Sequence, residues 1–259
     1  MKYQNLLIFR EEGVGVITIN HPPTNALNAQ TLEELGSVFE EMEKDEEIKA
    51  VIITGSGERV FASGADINEF KDLDKETALK MVNQGKRVFN QIETFPKPVI
   101  AAINGACLGG GCELAMCCDL RVAVEGARFG QPEIRLGIMP GWGGTQRLPR
   151  LIGKTRALEL LLSGNMIKAD EAKEIGLINK TVPSDKLISQ AKLIAHRLVK
   201  LAPLAIKEIK RAVNEGLNTG LFEGLKLEGD CFLKVLETED AKIGISAFLS
   251  KKSPRFKGK

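Results

Sequence analysis

The stretch "PVIAAINGACLGGGCELAMCCDLRVAV", residues 98–124, strings a strand, a glycine turn, a helix and another strand together without a linker. Its two ends, "PVIAAING" (98–105) and "DLRVAV" (119–124), are short apolar runs rich in Val and Ile. Such runs read as strands covered on both faces, as in a parallel sheet. Between them lies "GGGCELAMCCDL" (109–120), where three glycines open an apolar helix that carries one acid, Glu113. Free N–H groups at a helix N-terminus attract negative charge, and glycines let a ligand approach the backbone closely. Phosphate sites usually add Lys, Ser or Thr, but Cys112, Glu113 and Leu114 follow here. A carboxylate repels phosphate and suits acid–base work beside an oxyanion. The structural alternative pairs Glu113 with Arg121 or Arg128.

Working outward, "VGVITIN" (14–20) alternates as a strand and "AVIITG" (50–55) reads as another buried one. "AQTLEELGSVFEEMEKD" (29–45) repeats at helical period, with Asn28 or Thr31 as N-cap; Thr31 with Glu34 would make a capping box. "KETALKMVNQGKRVFNQIETF" (75–95) is an amphipathic helix halted by "PKP". Alternating strands and helices predict an α/β fold. From about residue 144 the chain reads as nearly all helical. Pro203 suits a helix start, and Glu239 with Asp240 suits a first turn. We divide the chain into an α/β core over 1–195 and a helical region over 196–259. The last helices are too apolar on one face to stand alone, which predicts packing on the core or on another subunit.

Composition narrows the function classes. The chain has 259 residues and a formal charge of +2, with 36 basic and 34 acidic side chains. That balance argues against a nucleic-acid partner, and aromatic residues at 5% argue against base-stacking surfaces. The basic tail "KKSPRFKGK" (251–259) reads as a solvated terminus or a local ligand contact. No run of 18 apolar residues predicts a membrane span, and the start shows neither a long apolar h-region nor a transit-peptide composition. A cytoplasmic protein is expected. Four of the five cysteines crowd into 107–118 without a C-x-x-C spacing, and neither His21 nor His196 lies near a Cys pair. They read as buried, reduced filler rather than a metal or redox site.

Two further stretches carry chemistry. "FASGADINEF" (61–70) sets small residues after a strand, with Asp66 as a helix cap. "FGQPEIRLGIMPGWGGTQRLPR" (129–150) holds Glu133 and a backbone-exposing "PGWGG" loop. Twenty residues separate Glu113 from Glu133, enough chain to fold back and bring both carboxylates to one pocket. Two acids beside a pair of oxyanion-binding N–H groups suit addition of water across a polarised double bond.

These stretches, with "NALN", "ADEAKEIGLIN" and "AFLSKK" in the same order, resemble the enoyl-CoA hydratase (crotonase) family over nearly the whole chain. The resemblance implies an α/β spiral of ββα units with a C-terminal helical trimerisation region, assembled as a trimer or as a hexamer of two trimers. It implies an acyl-CoA thioester substrate, with coenzyme A as part of the substrate and no separate cofactor or metal. Ala65 and Gly110 match the family's oxyanion-hole positions, Glu113 and Glu133 its catalytic carboxylates, and Gly141 a loop N–H that helps hold water. Ala26 and Leu27, together with Ala62, Ser63, Gly64, Asp66 and Ile67, match segments lining the CoA moiety. Trp142 stands where small residues are common, either narrowing the acyl pocket or packing at its rim. The implied reaction is reversible syn-hydration of a trans-2-enoyl-CoA. The alternatives are isomerisation or another CoA-ester reaction on the same scaffold, or a non-catalytic RNA-binding relative.

Overall fold

A computed structural model describes residues 3–71 and 73–259. The strands are β1 (Leu6–Glu11), β2 (Val14–Ile19), β3 (Ala50–Gly55), β4 (Val60–Ala62), β5 (Val99–Ile103), β6 (Ala106–Leu108), β7 (Leu120–Val124), β8 (Arg128–Gly130), β9 (Met166–Lys168) and β10 (Lys180–Val182). The helices of the first half are α1 (Ala29–Lys44), α2 (Lys75–Glu93) and α3 (Gly110–Cys117). Then come α4 (Gly144–Ile152), α5 (Lys154–Ser163), α6 (Ala169–Glu174), α7 (Leu187–Val199), α8 (Pro203–Gly216), α9 (Leu221–Leu236) and α10 (Glu239–Leu249).

Two sheets wall a spiral. The larger runs β1-β2-β3-β5-β7-β10 and the smaller β4-β6-β8-β9. Each turn lays one strand in the large sheet and the next in the small one. Thus β3, β5 and β7 pair in parallel, and so do β4, β6 and β8. A parallel return needs a crossover, which α2 and α3 supply. Every residue of β3 and β5 is buried, the burial pattern that their unbroken apolar runs predict. Each buried Ile or Val there contributes about 1.5–3 kcal/mol relative to exposure.

Several expectations resolve in detail. Asn28 caps α1, its side chain accepting from the Thr31 amide at 2.8 Å. Glu34 is spent elsewhere, accepting from the Gln4 and Asn5 amides, so no Thr31–Glu34 capping box forms. The second half is not all helical: β9 pairs antiparallel with β8, and β10 extends the large sheet beside β7. Residues 195 and 196 both fall within α7, which packs on β3, β5 and β7. The first helix to leave the core is α8. Lys210 anchors it, with Nζ donating to Asp119 at 2.6 Å and to the Lys97 carbonyl at 3.0 Å. Asp240, at the start of α10, accepts from the Lys257 and Gly258 amides and folds the basic tail back on the chain.

Candidate active site

The small sheet assembles the site. Because β4, β6 and β8 are parallel neighbours, the segments that leave their C-terminal ends emerge side by side, where α/β folds commonly bind ligands. After β4 come Ser63 to Asp66, after β6 Gly109 to Glu113, and after β8 Gln131 to Glu133. Strand adjacency therefore brings together three stretches that are far apart in sequence.

They open on one cavity of about 1090 Å³, floored by Gly109, Gly110, Glu113 and Glu133 and walled by apolar side chains of α2 and of the 136–142 loop. Ala26, Ser63, Gly64, Ala65, Asp66, Ile67, Gly141 and Trp142 also line it. Leu27 and Ala62 do not: both are fully buried. Leu27 instead pins the 64–66 segment, its N–H donating to the Gly64 carbonyl and its carbonyl accepting from the Asp66 amide. Asp66 caps the short 3-10 turn Ile67–Phe70. His21 supports the neighbouring loop, its Nδ1–H donating to the Ala26 carbonyl at 2.7 Å.

The amide nitrogens of Ala65 and Gly110 lie on two closely packed segments. A Cβ built on Gly110 would lie 3.3 Å from the Ala65 nitrogen, and one on Gly64 would lie 3.2 Å from the Gly110 nitrogen. Gly64 has φ +104°, which L side chains rarely adopt. Among the described residues neither amide donates to a protein acceptor, as the first turn of a helix leads one to expect for Gly110.

Glu113 is 2% exposed. It pairs with neither candidate arginine. Arg121 donates to the Leu177 and Cys118 carbonyls, and Arg128 to those of Gly126 and Ala127. Instead Glu113 Oε1 accepts two backbone N–H bonds, from Trp142 at 2.9 Å and Gly144 at 2.6 Å. Burial pushes its pKa up, while those N–H groups and the charge of Arg147 oppose the rise. Glu133 has little such help. Burial and the nearby Glu113 charge raise its pKa to about 7. The side-chain amide of Gln131, 1% exposed, lies against the Glu133 carboxyl, 3.1 and 3.3 Å from its two oxygens. The two acids thus sit in unlike environments: two backbone amides and the charge of Arg147 oppose the effect of burial at Glu113, whereas the Glu113 charge adds to it at Glu133.

Trp142 is 3% exposed and stands on edge against Phe89, with ring centroids 5.5 Å apart. Its ring lies between Gly85 and Gly110, where a Cβ would come within 2.3 Å and 2.5 Å of it respectively. The indole is thus a buried wedge between α2 and the start of α3, with one surface on the cavity. The backbone donors to Glu113, and the contribution of Arg147, were not legible in the sequence. Backbone N–H groups leave no residue signature, and the "GWGGTQR" string signals only a flexible loop before a helix.

Residues 10–259 match the enoyl-CoA hydratase/isomerase family. The chain belongs to that family. It is 47% identical over 253 residues to the short-chain-enoyl-CoA hydratase of Clostridium acetobutylicum, covering 97% of both chains. It is 46% identical to the crotonyl-CoA hydratase of Syntrophomonas wolfei, covering 99% of both. The solved structure of an enoyl-CoA hydratase from Bacillus anthracis superposes with a TM-score of 0.94 at 39% identity, covering 99% of this chain and all of that one. The spiral of ββα turns is accordingly the fold of the enoyl-CoA hydratase/isomerase family. Among the described residues no helix is long and apolar enough to cross a membrane.

One stability consequence follows from Glu133. A carboxyl whose pKa rises on folding favours the folded state only while neutral. The penalty is absent below the ordinary value of 4.5, grows as pH rises toward about 7, and is complete above it. After discounting for partial exposure it amounts to about 1–2 kcal/mol. Glu133→Gln is expected to raise Tm by about 2–6 °C at about pH 8 and to leave it unchanged at about pH 4, read by calorimetry. An equal shift at both values would show that the carboxyl is not strained by its site.

Proposed function

We propose that this chain catalyses the reversible syn-addition of water across the double bond of a trans-2-enoyl-CoA, giving the 3-hydroxyacyl-CoA. The observation that carries this reading is the pair of buried carboxylates with unlike environments in one cavity, beside two unpartnered amides. The thioester oxygen would sit between the N–H groups of Ala65 and Gly110, which draw electrons from Cβ. Glu113, ionised, takes a proton from water as the water oxygen bonds to Cβ. Glu133, protonated, delivers its proton to Cα, and the charge that collects on the thioester oxygen is held by the two amides. The Gly141 loop helps seat the water. Turnover leaves the proton on Glu113, and its return to Glu133 resets the pair. No separate cofactor enters, because coenzyme A is part of the substrate.

The acyl group is short in this reading. Trp142 occupies space at the inner wall of the cavity, and relatives named for short-chain and crotonyl substrates support the same conclusion. Hydration assays over enoyl-CoA esters of increasing length test it. The four-carbon ester is expected to give the highest kcat/KM, and Trp142→Ala to improve longer esters at least about 10-fold relative to it, since one methylene is worth about 1–3 kcal/mol in an apolar pocket. A length profile that Trp142→Ala leaves untouched would remove Trp142 from the acyl wall.

Self-association as a trimer, or as a hexamer of two trimers, is supported by the apolar side chains that α8, α9 and α10 expose. Ile209 and Val213 on α8 and Leu217 at its C-terminal cap follow one another at helical spacing, Leu221, Phe222 and Leu225 begin α9, and Phe248 on α10 is 83% exposed. A patch of this extent marks an interface. A sedimentation measurement returning a monomer would overturn this. The five buried, free cysteines fit the reducing cytoplasm.

A further inference from the structure

Arg147 lies on α4, and its side chain is only 11% exposed. Its fork grips Glu93 of α2, with Nε at 3.1 Å and Nη2 at 2.7 Å from the two carboxylate oxygens. Nη2 also donates to Asn90 Oδ1 at 2.7 Å. The remaining arm, Nη1, donates to the Trp142 carbonyl at 2.9 Å. That carbonyl belongs to the peptide joining Trp142 to Gly143. On either side of it stand the two amides, Trp142 and Gly144, that hold Glu113 Oε1. Gly143 makes the arrangement possible: it has φ +121°, and a Cβ there would lie 2.1 Å from Arg147 Nη1.

We infer that Arg147 is a positioning residue for Glu113, fixing the 142–144 backbone through the Trp142 carbonyl and placing a buried positive charge behind the loop that grips the carboxylate. This rests on the hydration reading only for its kinetic consequence. A bidentate guanidinium held by Glu93 is rigid, so the carbonyl it grips is rigid too. The fork resists rotation of the 142–143 peptide, which would swing a donor away from Glu113. The charge acts at a distance, since Arg147 makes no contact with Glu113. The other ionisable groups around Glu113 are Glu133 across the cavity, Lys86 and Asp66 on its walls, Glu93 behind Arg147, and Cys117 on its own helix. Of the two cations, Lys86 stands on the wall of an open cavity, whereas Arg147 is buried behind the loop that grips Glu113.

The test uses the full-length protein and three variants. Arg147→Gln is expected to lower kcat about 10²-fold, the scale of a slightly misplaced catalytic group. It should also move the acidic limb of kcat/KM up by about one pH unit, because Glu113 loses its nearby cation. Arg147→Lys keeps the charge and loses the fork, so the limb should return close to the parent while kcat stays about 10-fold low. Glu93→Gln removes an anion and leaves the cation, so the limb should not rise. Carbon-13 NMR titration of the Glu113 carboxyl in the parent and Arg147→Gln proteins reads the same shift without any turnover. An unmoved Glu113 titration in Arg147→Gln would overturn the inference, whatever happens to kcat. So would identical pH profiles for Arg147→Gln and Glu93→Gln, the mark of a merely structural pair. A parent protein that hydrates no enoyl-CoA would refute the proposed reaction and leave the NMR result to decide on Arg147.

Discussion

Replacing Glu113 by Gln is expected to lower kcat for crotonyl-CoA hydration by about 10²–10⁴-fold, the usual cost of one acid–base group, while CoA-ester binding stays within a few-fold of the parent. Gln retains a side-chain oxygen that can still accept from the Trp142 and Gly144 amides. The substitution therefore removes the charge and the basicity without dismantling the loop. Glu133→Gln should cost a similar factor by losing the proton donor, and it should do so while stabilising the fold above neutral pH. Activity and stability then move in opposite directions at one residue, as expected where a site holds a group against its preferred state. Near-parental kcat in either variant, measured alongside a binding isotherm, would remove that carboxylate from the mechanism.

The second large effect is expected at Gly110. A methyl group there would come within 2.5 Å of Trp142 Cζ3 and 3.3 Å of the Ala65 nitrogen. The indole cannot retreat, because Gly85 closes the space on its other side. The start of α3 must give way instead, and with it the Gly110 N–H. Gly110→Ala is therefore expected to lose about 10²–10³-fold in kcat, the scale of one oxyanion donor. The double variant Gly110→Ala with Trp142→Ala frees the space and should recover at least about 10-fold of that loss. Thermal unfolding of both proteins separates this from collapse of the fold. Parental kcat in a folded Gly110→Ala protein would contradict the placement of the oxyanion at that amide.

Most of the large sheet was legible because its strands are long enough to show a pattern. "AVIITG", "PVIAAING" and "DLRVAV" became β3, β5 and β7 nearly as read. The small sheet was not, since β4, β6, β8 and β9 have three residues each, too few for any period. Their strand character comes from pairing with the next turn of the spiral, a tertiary fact. β1 escaped for another reason: most of its side chains face solvent, so "LLIFRE" looks like an apolar run broken by charge. The same limit governed the site. Glu113 and Glu133 stood out as residues, and Ala65 and Gly110 through the resemblance to the family, but their meeting depends on the small sheet that the sequence hid. The partners of Glu113 are backbone amides in the Trp142–Gly144 loop, and no side chain announces them.

Oxygen from water is expected to add to Cβ of an enoyl-CoA between Glu113 and Glu133. This addition is tested most directly by running the parent protein with crotonyl-CoA in oxygen-labelled water and locating the label by mass spectrometry. The expected product is 3-hydroxybutyryl-CoA with the label in its hydroxyl group, formed at least about 10²-fold more slowly by Glu113→Gln. An unlabelled isomerised thioester, or free coenzyme A with the label in a released carboxylate, would contradict it.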